Sequence, residues 1–299
     1  MSKILIFGAT SFIGINLVKK LYINNQIIAV LRKNSENDNK LDSFKNIQKI
    51  YCDMDEYYRF DSFYKDKADI AYLLSWRGVH GSLCNDENVQ RENFENNLAL
   101  FKILCKMNIK TIMTIGSQAE FGDFNEPANY LLKPKPTNAY GIYKLKLFEQ
   151  LCEESKKYKV NYKHGRIFSC YGIGDNPNTL IMTIINSFKK NEKVNLTKCE
   201  QVWDYIYIDD CIDAIVDICD KGKCCHPYSI GSGEAHKLEY YVEIIRSSFK
   251  EANVEYGYYQ YNKGQPMFVV ANIQDLIKDT GFKKKTCFLD GIKRIIKGN

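Results

Sequence analysis

The stretch Lys3-Ile-Leu-Ile-Phe-Gly8-Ala-Thr-Ser-Phe-Ile-Gly14 decides the fold of this chain of 299 residues. Its first five residues form a short apolar run, which is typical of a strand buried in a sheet. Beyond it, Ile13, Leu17 and Leu21 have the spacing of one helix face. A glycine at such a strand–helix junction permits a tight turn, and a second glycine lets the helix pack close to the strand. The stretch therefore predicts N–H groups that face a pyrophosphate, although a simple tight turn is the alternative.

The same alternation continues through the N-terminal half. Further strand patterns lie at 27–31, 47–52, 70–74, 111–115 and 160–167. Helical patterns separate them, and the longest runs from about 87 to 107. Strands and helices in this order predict a parallel sheet that is covered on both faces. Later patterns predict helices at 179–190, 209–220, 238–251 and 289–297, with a short strand at 228–230 that returns to the sheet.

The predicted fold class is α/β, a Rossmann-type doubly wound parallel sheet with a smaller mixed C-terminal lobe for substrate. After residue 167 the alternation loosens, and no internal repeat or low-complexity linker is present. We expect residues 1–167, with about 203–230, to form the dinucleotide-binding domain. Residues of about 168–202 and 231–299 would form the substrate lobe and leave a cleft over the sheet.

Composition excludes several function classes. The chain has 45% hydrophobic and 26% charged residues, and 42 basic minus 36 acidic residues give a net charge of +6. The basic residues are spread out, so we expect no nucleic-acid partner, only a mild preference for an anionic ligand. The chain opens directly on an apolar strand and has no run of 18 apolar residues, which predicts a cytoplasmic protein without a membrane partner.

The eleven cysteines predict reduced thiols rather than disulfides or a metal site. Cys219, Cys224, Cys225 and His226 cluster in the sequence, but their spacing contains no CxxC pair. Adjacent cysteines do not readily ligate one tetrahedral ion together. We therefore expect no metal.

The end of the second strand predicts which dinucleotide is bound. A carboxylate there would hold the ribose 2′-hydroxyl of NAD, whereas a cation accommodates the 2′-phosphate of NADP. The chain has Arg32 and Lys33 at this place, with no acidic residue before Glu36. These residues favour NADP(H), and a solvated basic turn is the alternative. Asp53, after the third strand, could accept a hydrogen bond from the adenine amino group.

Tyr140 and Lys144 lie four residues apart in the run Pro136-Thr-Asn-Ala-Tyr140-Gly-Ile-Tyr-Lys144. On a helix, side chains at this spacing lie one above the other. An ammonium held near a phenol in a partly dry cleft lowers the pKa of the phenol. We therefore expect Tyr140 to exchange a proton near neutral pH. The spacing alone is weak support, because the chain has 21 tyrosines.

Together these residues resemble the extended short-chain dehydrogenase/reductase family, within the NAD-dependent epimerase/dehydratase superfamily, whose members act on nucleotide-linked sugars. The resemblance covers essentially the whole chain. It also includes Asn93, Ser117, Arg166-Ile-Phe-Ser-Cys-Tyr-Gly172, Trp203-Asp-Tyr-Ile-Tyr-Ile-Asp-Asp210 and Tyr228-Ser-Ile-Gly-Ser-Gly233. Ser11 departs from the middle glycine that is usual in the family, and it could instead cap the helix and bond a phosphate.

The resemblance implies a role for each site residue. Tyr140 would be the acid/base, Lys144 would tune it and bind the nicotinamide ribose, Ser117 would polarise the same oxygen, and Asn93 would hold a supporting helix or a relay water. The implied cofactor-binding residues are Gly8, Thr10, Ser11, Phe12, Ile13, Gly14, Arg32, Lys33, Asp53, Met54, Leu74, Ser75, Tyr140, Lys144 and Ile167. The expected substrate-binding residues are Trp76, Arg77, Gln118, Ser169 and Trp203.

The residues after Ser117 narrow the reaction. Related 4,6-dehydratases have an Asp-Glu pair where this chain has Gln118 and Ala119, so dehydration is not expected. The cysteine and histidine that serve ring epimerisation in GDP-fucose synthases are also missing from the corresponding places. Two redox functions remain, namely an NADPH-dependent reductase of a nucleotide-linked 4-keto-6-deoxysugar, which is favoured, and a 4-epimerase with retained NAD.

The resemblance is closest to the nucleotide-4-keto-6-deoxysugar reductases, and it implies a homodimer. A non-enzymatic NADP sensor of the same fold is a further alternative. It is less favoured, because such proteins usually lose the tyrosine or the lysine.

Overall fold

The structure is a computed structural model that describes residues 1–262 and 264–298. The strands are Lys3–Phe7 (β1), Gln26–Leu31 (β2), Ile47–Tyr51 (β3), Ile70–Leu73 (β4), Thr111–Ser117 (β5), Asn161–Ile167 (β6), Ser169–Tyr171 (β7), Val194–Asn195 (β8), Val202–Trp203 (β9), Tyr205–Tyr207 (β10), Pro227–Ile230 (β11), His236–Lys237 (β12), Val254–Glu255 (β13) and Phe268–Val269 (β14). The α-helices are Phe12–Leu21 (α1), Glu87–Lys106 (α2), Ala139–Tyr158 (α3), Leu180–Lys189 (α4), Ile208–Lys221 (α5), Leu238–Arg246 (α6), Gln274–Thr280 (α7) and Phe288–Lys297 (α8).

Seven strands form one parallel sheet in the order β11-β6-β5-β4-β1-β2-β3. The chain builds outward from β1 to β3, returns to place β4 on the other side of β1, and then continues to β5, β6 and β11. This reversal between β1 and β4 is a topological switch point, and in open α/β sheets a crevice forms beyond the strand ends there. The doubly wound α/β fold predicted from the sequence is confirmed.

Helices cover both faces of this sheet. On one face, α1 and α5 bury Leu17, Val18 and Ile215 against apolar strand residues. On the other face, α2 and α3 do the same with Leu100 and Leu151. Strand β1 is accordingly apolar from Ile4 to Phe7, because these side chains enter a core on either face.

The second half of the chain is built from short pieces. Strand β7 pairs with β10, β8 pairs with β13, and β12, β9 and β14 form a small mixed sheet. These strands of two or three residues were not predicted from the sequence, because they are too short to show a period. The return of the chain to the main sheet at β11 was predicted. Helix α7 was not predicted from the sequence. The prediction of α6 to residue 251 was too long, because the helix ends at Arg246. No helix within residues 1–262 and 264–298 has the length and apolarity that crossing a bilayer requires.

Candidate active site

A cleft of about 730 Å³ opens beyond the carboxyl ends of the central strands. It is lined by the loops that follow β1, β4, β5 and β6, by the start of α3, and by segments of the second half of the chain. The residues predicted from the sequence that line it are Ser11, Phe12, Ile13, Leu74, Trp76, Ser117, Gln118, Tyr140, Lys144, Ile167, Ser169 and Trp203. One cavity thus brings together part of the predicted cofactor turn, the predicted catalytic residues Ser117, Tyr140 and Lys144, and part of the predicted substrate contacts. The fourth predicted catalytic residue, Asn93, does not line it.

The turn between β1 and α1 has the shape that a dinucleotide pyrophosphate requires. Gly8 has a φ of +80°, which favours glycine, and a Cβ there would lie 3.1 Å from the backbone nitrogen of Ser75. At Gly14 a Cβ would lie 2.1 Å from the carbonyl oxygen of Gly8, so only glycine lets α1 approach the strand end this closely. Phe12 and Ile13 begin the helix and line the cleft, and the first N–H groups of a helix have no acceptor within it. These residues fit an anionic diphosphate.

Ser11 is the N-cap of α1. Its Oγ accepts a hydrogen bond from the N–H of Gly14 at 3.0 Å and donates to the carbonyl oxygen of Gly8 at 2.8 Å. The expectation that Ser11 caps the helix is confirmed. In this chain the serine ties the two glycines of the turn together.

The two predicted cations at the end of β2, Arg32 and Lys33, differ in their ion-pair partners. Nζ of Lys33 lies 2.7 Å from Oε2 of Glu56, and the backbone N–H of Lys33 donates to Oδ1 of Asp53 at 3.1 Å. Arg32 is exposed and takes part in none of the ion pairs found within residues 1–262 and 264–298. Arg32 is therefore the cation that can receive an additional anion at this strand end.

Four of the predicted cofactor residues lie at the carboxyl edge of the sheet without lining the cleft itself, namely Thr10, Ser75, Asp53 and Met54. Thr10 lies in the turn, with its Oγ1 3.3 Å from Oγ of Ser35. Ser75 follows β4 and accepts a hydrogen bond from the Tyr57 hydroxyl at 2.8 Å. Asp53 is the N-cap of a short 3₁₀ helix that begins at Met54, directly after β3.

The start of α3 brings Tyr140 to Ser117. The helix begins with Asn138 as its N-cap, and the side chain of Asn138 accepts from the N–H of Gly141 at 2.8 Å. A Cβ on Gly141 would lie 2.2 Å from the carbonyl oxygen of Ala119, so the glycine allows the helix to pack directly on the loop after β5. Ser117 is the last residue of β5, and its side chain lines the cleft together with Tyr140.

Lys144 is buried one turn further along α3. Its Nζ donates to the carbonyl oxygen of Ile115 at 2.7 Å and lies 4.0 Å from the centre of the Trp76 ring. Burial lowers the pKa of Lys144 to about 8, although the negative charge of Glu120 opposes that shift. The lysine therefore keeps its proton at neutral pH in a site where a cation is costly.

The pKa of Tyr140 does not follow the expectation from the sequence. Burial raises it well above its usual range, and the neighbouring hydroxyl of Ser117 opposes this only in part. The ammonium of Lys144 lies 5.9 Å from the centre of the tyrosine ring, closer to the indole of Trp76. The expectation of a lowered tyrosine pKa is wrong for the protein alone. The side chain is a neutral phenol, which can donate a proton.

Asn93 acts on the loop after β4. It is fully buried, its Oδ1 accepts from the backbone N–H of Arg77 at 3.0 Å, and its Nδ2 donates to the carbonyl oxygen of Arg77 at 2.8 Å. Gln90, one turn earlier on α2, accepts from the indole N–H of Trp76 at 2.7 Å. The two amides fix the loop that places Trp76 in the cleft. The guanidinium of Arg77 bonds to Glu92 on α2 and lies outside the cleft lining.

The far side of the cleft contains two predicted substrate contacts and one carboxylate that was not predicted from the sequence. Ser169 accepts a hydrogen bond from the indole N–H of Trp203 at 2.7 Å, and beside them lies Asp175. Among the described residues that line the cleft, Asp175 is the one carboxylate. Burial raises its pKa, although the hydroxyl of Thr179 donates to it at 2.9 Å and opposes the shift. Periodicity could not reveal it, because it lies in an irregular turn after β7.

Comparison with known proteins places the chain in a family. The model of the NAD dependent epimerase/dehydratase family matches residues 4–231, which span the turn, Ser117 and the tyrosine–lysine pair. The chain belongs to this family. The resemblance inferred from the motifs is confirmed.

Several known proteins resemble this chain along most of its length. CDP-abequose synthase of Yersinia pseudotuberculosis is 25% identical over 268 residues, which cover 89% of this chain and 90% of the relative. Among solved structures, UDP-N-acetylglucosamine 4-epimerase from Methanobrevibacter ruminantium M1 superposes with a TM-score of 0.89 at 20% identity, over 99% and 97% of the two chains. UDP-glucose 4-epimerase from Thermotoga maritima has a TM-score of 0.86, also at 20% identity, over 99% and 98%. At this identity the structural likeness concerns the fold.

In this member of the family, the cysteine-rich segment lies apart from the cleft. Cys219 is buried in α5 and Cys224 is exposed, while His226 pairs with Asp275 through Nε2 at 2.8 Å. Within the described part of the chain, no three His, Cys, Asp or Glu side chains are arranged to hold a metal ion. All eleven cysteines are free thiols.

Proposed function

We propose that the protein is an NADPH-dependent reductase of a nucleotide-linked 4-keto-6-deoxysugar. The observation that carries the proposal is the meeting of Ser117, Tyr140 and Lys144 in one cleft beside the glycine turn. Gln118 and Ala119 follow Ser117, and neither side chain is an acid or a base at neutral pH. We assign the proton transfer to Tyr140, because it lies with Ser117 and Lys144 whereas Asp175 lies on the far side of the cleft. A single phenolic donor suits interconversion of a ketone and an alcohol.

Each residue of the chain would have a defined task in the reduction. A bound nicotinamide dinucleotide supplies a hydride for the carbonyl carbon at C4 of the sugar. Ser117 would donate a hydrogen bond to the carbonyl oxygen, and Tyr140 would give that oxygen its phenolic proton, so that C=O becomes CH–OH. Lys144 would bond the nicotinamide ribose and stabilise the phenolate that remains, until water returns the proton. A phenol that is neutral in the protein alone is the form that this direction needs.

The preference for NADPH rests on Arg32. Its guanidinium is exposed at the end of β2 and is not engaged in an ion pair of the described residues, whereas Lys33 is already bonded to Glu56. A planar guanidinium can bind the 2′-phosphate of NADP through two parallel hydrogen bonds.

The sugar end of the cleft supports a hydroxylated ligand. Asp175 retains lone pairs that can accept from sugar hydroxyls, and Ser169 and Trp203 form the adjacent wall. The resemblance to CDP-abequose synthase, whose name denotes a CDP-linked sugar, also supports a nucleotide-linked sugar as substrate.

An absorbance assay tests the proposal. The protein is mixed with NADPH and with 4-keto-6-deoxysugars linked to CDP, dTDP, GDP or UDP, and the absorbance of NADPH is followed. We expect consumption with at least one of these substrates, and no consumption with any of them would overturn the proposal. Tyr140→Phe should lower turnover about 10²–10⁴-fold, because it removes the proton donor, while NADPH affinity is retained. Retained turnover in this variant would assign the proton to another group.

The same protein preparation tests the 4-epimerase alternative. An epimerase that retains its cofactor would release NAD when denatured and would interconvert UDP- or GDP-linked hexoses without added dinucleotide. Either result would replace the reductase by the epimerase. Light scattering on the same sample measures whether the protein is the homodimer that we expect.

A further inference from the structure

A buried carboxylate, that of Glu120, lies in the loop that follows β5. Glu120 has no exposed surface. Its Oε1 accepts from the backbone N–H of Ser117 at 2.9 Å, and its Oε2 accepts from Nε of Arg166 at 2.8 Å. A Cβ on Gly116 would lie 2.2 Å from Oε1 of Glu120 and 2.4 Å from Nε2 of His164. The end of β5 therefore leaves room for this carboxylate only because residue 116 is glycine.

The surroundings of Glu120 keep it ionised. From β6, Arg166 pairs with it and His164 places Nε2 3.5 Å from Oε1. Burial alone would raise the pKa of Glu120, but these two residues lower it below its usual range. Burial also lowers the pKa of His164, whose Nδ1 is bonded to Thr114 at 2.7 Å. Arg166 therefore supplies the positive charge that balances the glutamate.

The charge of Glu120 also reaches the two titratable groups of α3 that face it. It raises the pKa of Lys144 against the effect of burial, and it adds to the raised pKa of Tyr140. Both effects act in one direction, because a negative charge favours the protonated form of each group. A charged lysine and a protonated phenol are the states that the proposed reduction uses.

We propose that Glu120 is a positioning residue of the reductase, which holds Ser117 through its backbone N–H and places a fixed negative charge behind Lys144 and Tyr140. The role of Glu120 in turnover rests on the proposed function. Its effect on the protonation of Lys144 does not depend on that function and is measured separately.

The test compares pH profiles of variants that remove the charge. Glu120→Gln supplies an amide oxygen that can still accept from the backbone N–H of Ser117, but it leaves Arg166 unpaired. Breaking a buried ion pair can unfold a protein. The double variant Glu120→Gln/Arg166→Met removes both charges, a change that often has little effect on stability. It is used in place of the single variant if that one does not fold. Glu154→Gln is the matched control, because Glu154 is also a buried, ion-paired glutamate but contacts Lys102 and Lys157 away from the cleft.

Two readouts separate this inference from the proposed function. The first is the alkaline limb of the kcat profile with NADPH and a keto sugar. The second is the pH dependence of NADPH binding, followed by nicotinamide fluorescence, which needs no substrate. Because Glu120 raises the pKa of Lys144 and of Tyr140, its loss should shift the alkaline limb of the kcat profile and the pH dependence of NADPH binding to lower pH by about one unit. Both should stay in place in Glu154→Gln.

The outcomes are distinguishable. Turnover by the wild-type protein with limbs that do not move in the variants would overturn the role of Glu120 and leave the reductase intact. If the wild-type protein reduces no keto sugar, the proposed function fails, and the binding profile alone decides whether Glu120 sets the protonation of Lys144. An equal shift in Glu154→Gln would mean that loss of any buried carboxylate produces the effect, and it would also overturn the inference.

Discussion

Replacing Lys144 by methionine should make the protein more stable at neutral pH while it abolishes turnover. Lys144 is 8% exposed, and burial lowers its pKa from 10.5 to about 8. The unfolded chain therefore binds this proton more tightly than the folded chain does. At about 1.4 kcal/mol per pKa unit, the charged amine reduces the stability of the folded protein by about 3 kcal/mol below pH 8.

Contacts of the ammonium offset part of this cost. Its Nζ lies 4.0 Å from the centre of the Trp76 ring, and a desolvated cation–π contact contributes about 1–2 kcal/mol. The expected net gain for Lys144→Met at pH 7 is therefore about 1–2 kcal/mol. As the pH rises from about 8 towards 10.5, the folded chain loses the proton while the unfolded chain keeps it. The wild-type protein then recovers stability, and the difference between the two proteins should disappear.

Urea unfolding followed by circular dichroism at pH 7 and at pH 10 measures this difference. Lys146→Met is the control for loss of a lysine from the same helix, because Lys146 is exposed. A variant that is less stable than the wild type at pH 7 would refute the reasoning. So would a stability difference that is the same at both pH values, since the gain is ascribed to a proton that only the unfolded chain holds tightly.

Three further substitutions test the predicted cofactor site. Arg32→Ala should weaken NADPH about 10–100-fold and leave NADH unchanged in fluorescence titrations, because only NADPH has the phosphate, while Lys33→Ala should have less effect. Equal weakening of both dinucleotides would argue against a 2′-phosphate contact. Gly14→Ala places a methyl group 2.1 Å from the carbonyl oxygen of Gly8, so we expect a loss of about 1–3 kcal/mol in stability and weaker binding of both dinucleotides. Unchanged binding would show that the close helix approach does not shape the site.

Strands β1, β2 and β4 were predictable because nearly all of their residues are buried and they appear in the sequence as nearly continuous apolar runs. The predicted ranges of the first six strands agree with the structure to within a few residues. The largest difference is at β5, which continues to Ser117. The glycine turn was predictable for a related reason, since the positions of Gly8 and Gly14 reflect backbone contacts that a Cβ would block.

The second half was less predictable, because its strands pair over only two or three residues. At that length neither alternation nor a helical period can be recognised. Asp175 shows the consequence for the site. It lies in a turn after β7, and only the packing of that turn against the cleft distinguishes it from any surface aspartate.

By itself, the sequence determined the layered fold, the glycine turn between β1 and α1, and the spacing of Tyr140 and Lys144, because these features depend on neighbours along the chain or on a strict local period. The tertiary structure decided the electrostatics. Lys144 lies over Trp76 from the loop after β4, and Glu120 receives its counter-charge from Arg166 on β6. Burial and charge depend on which distant side chains surround a group. Spacing therefore placed the tyrosine beside the lysine, but only the packed protein made the tyrosine a protonated donor.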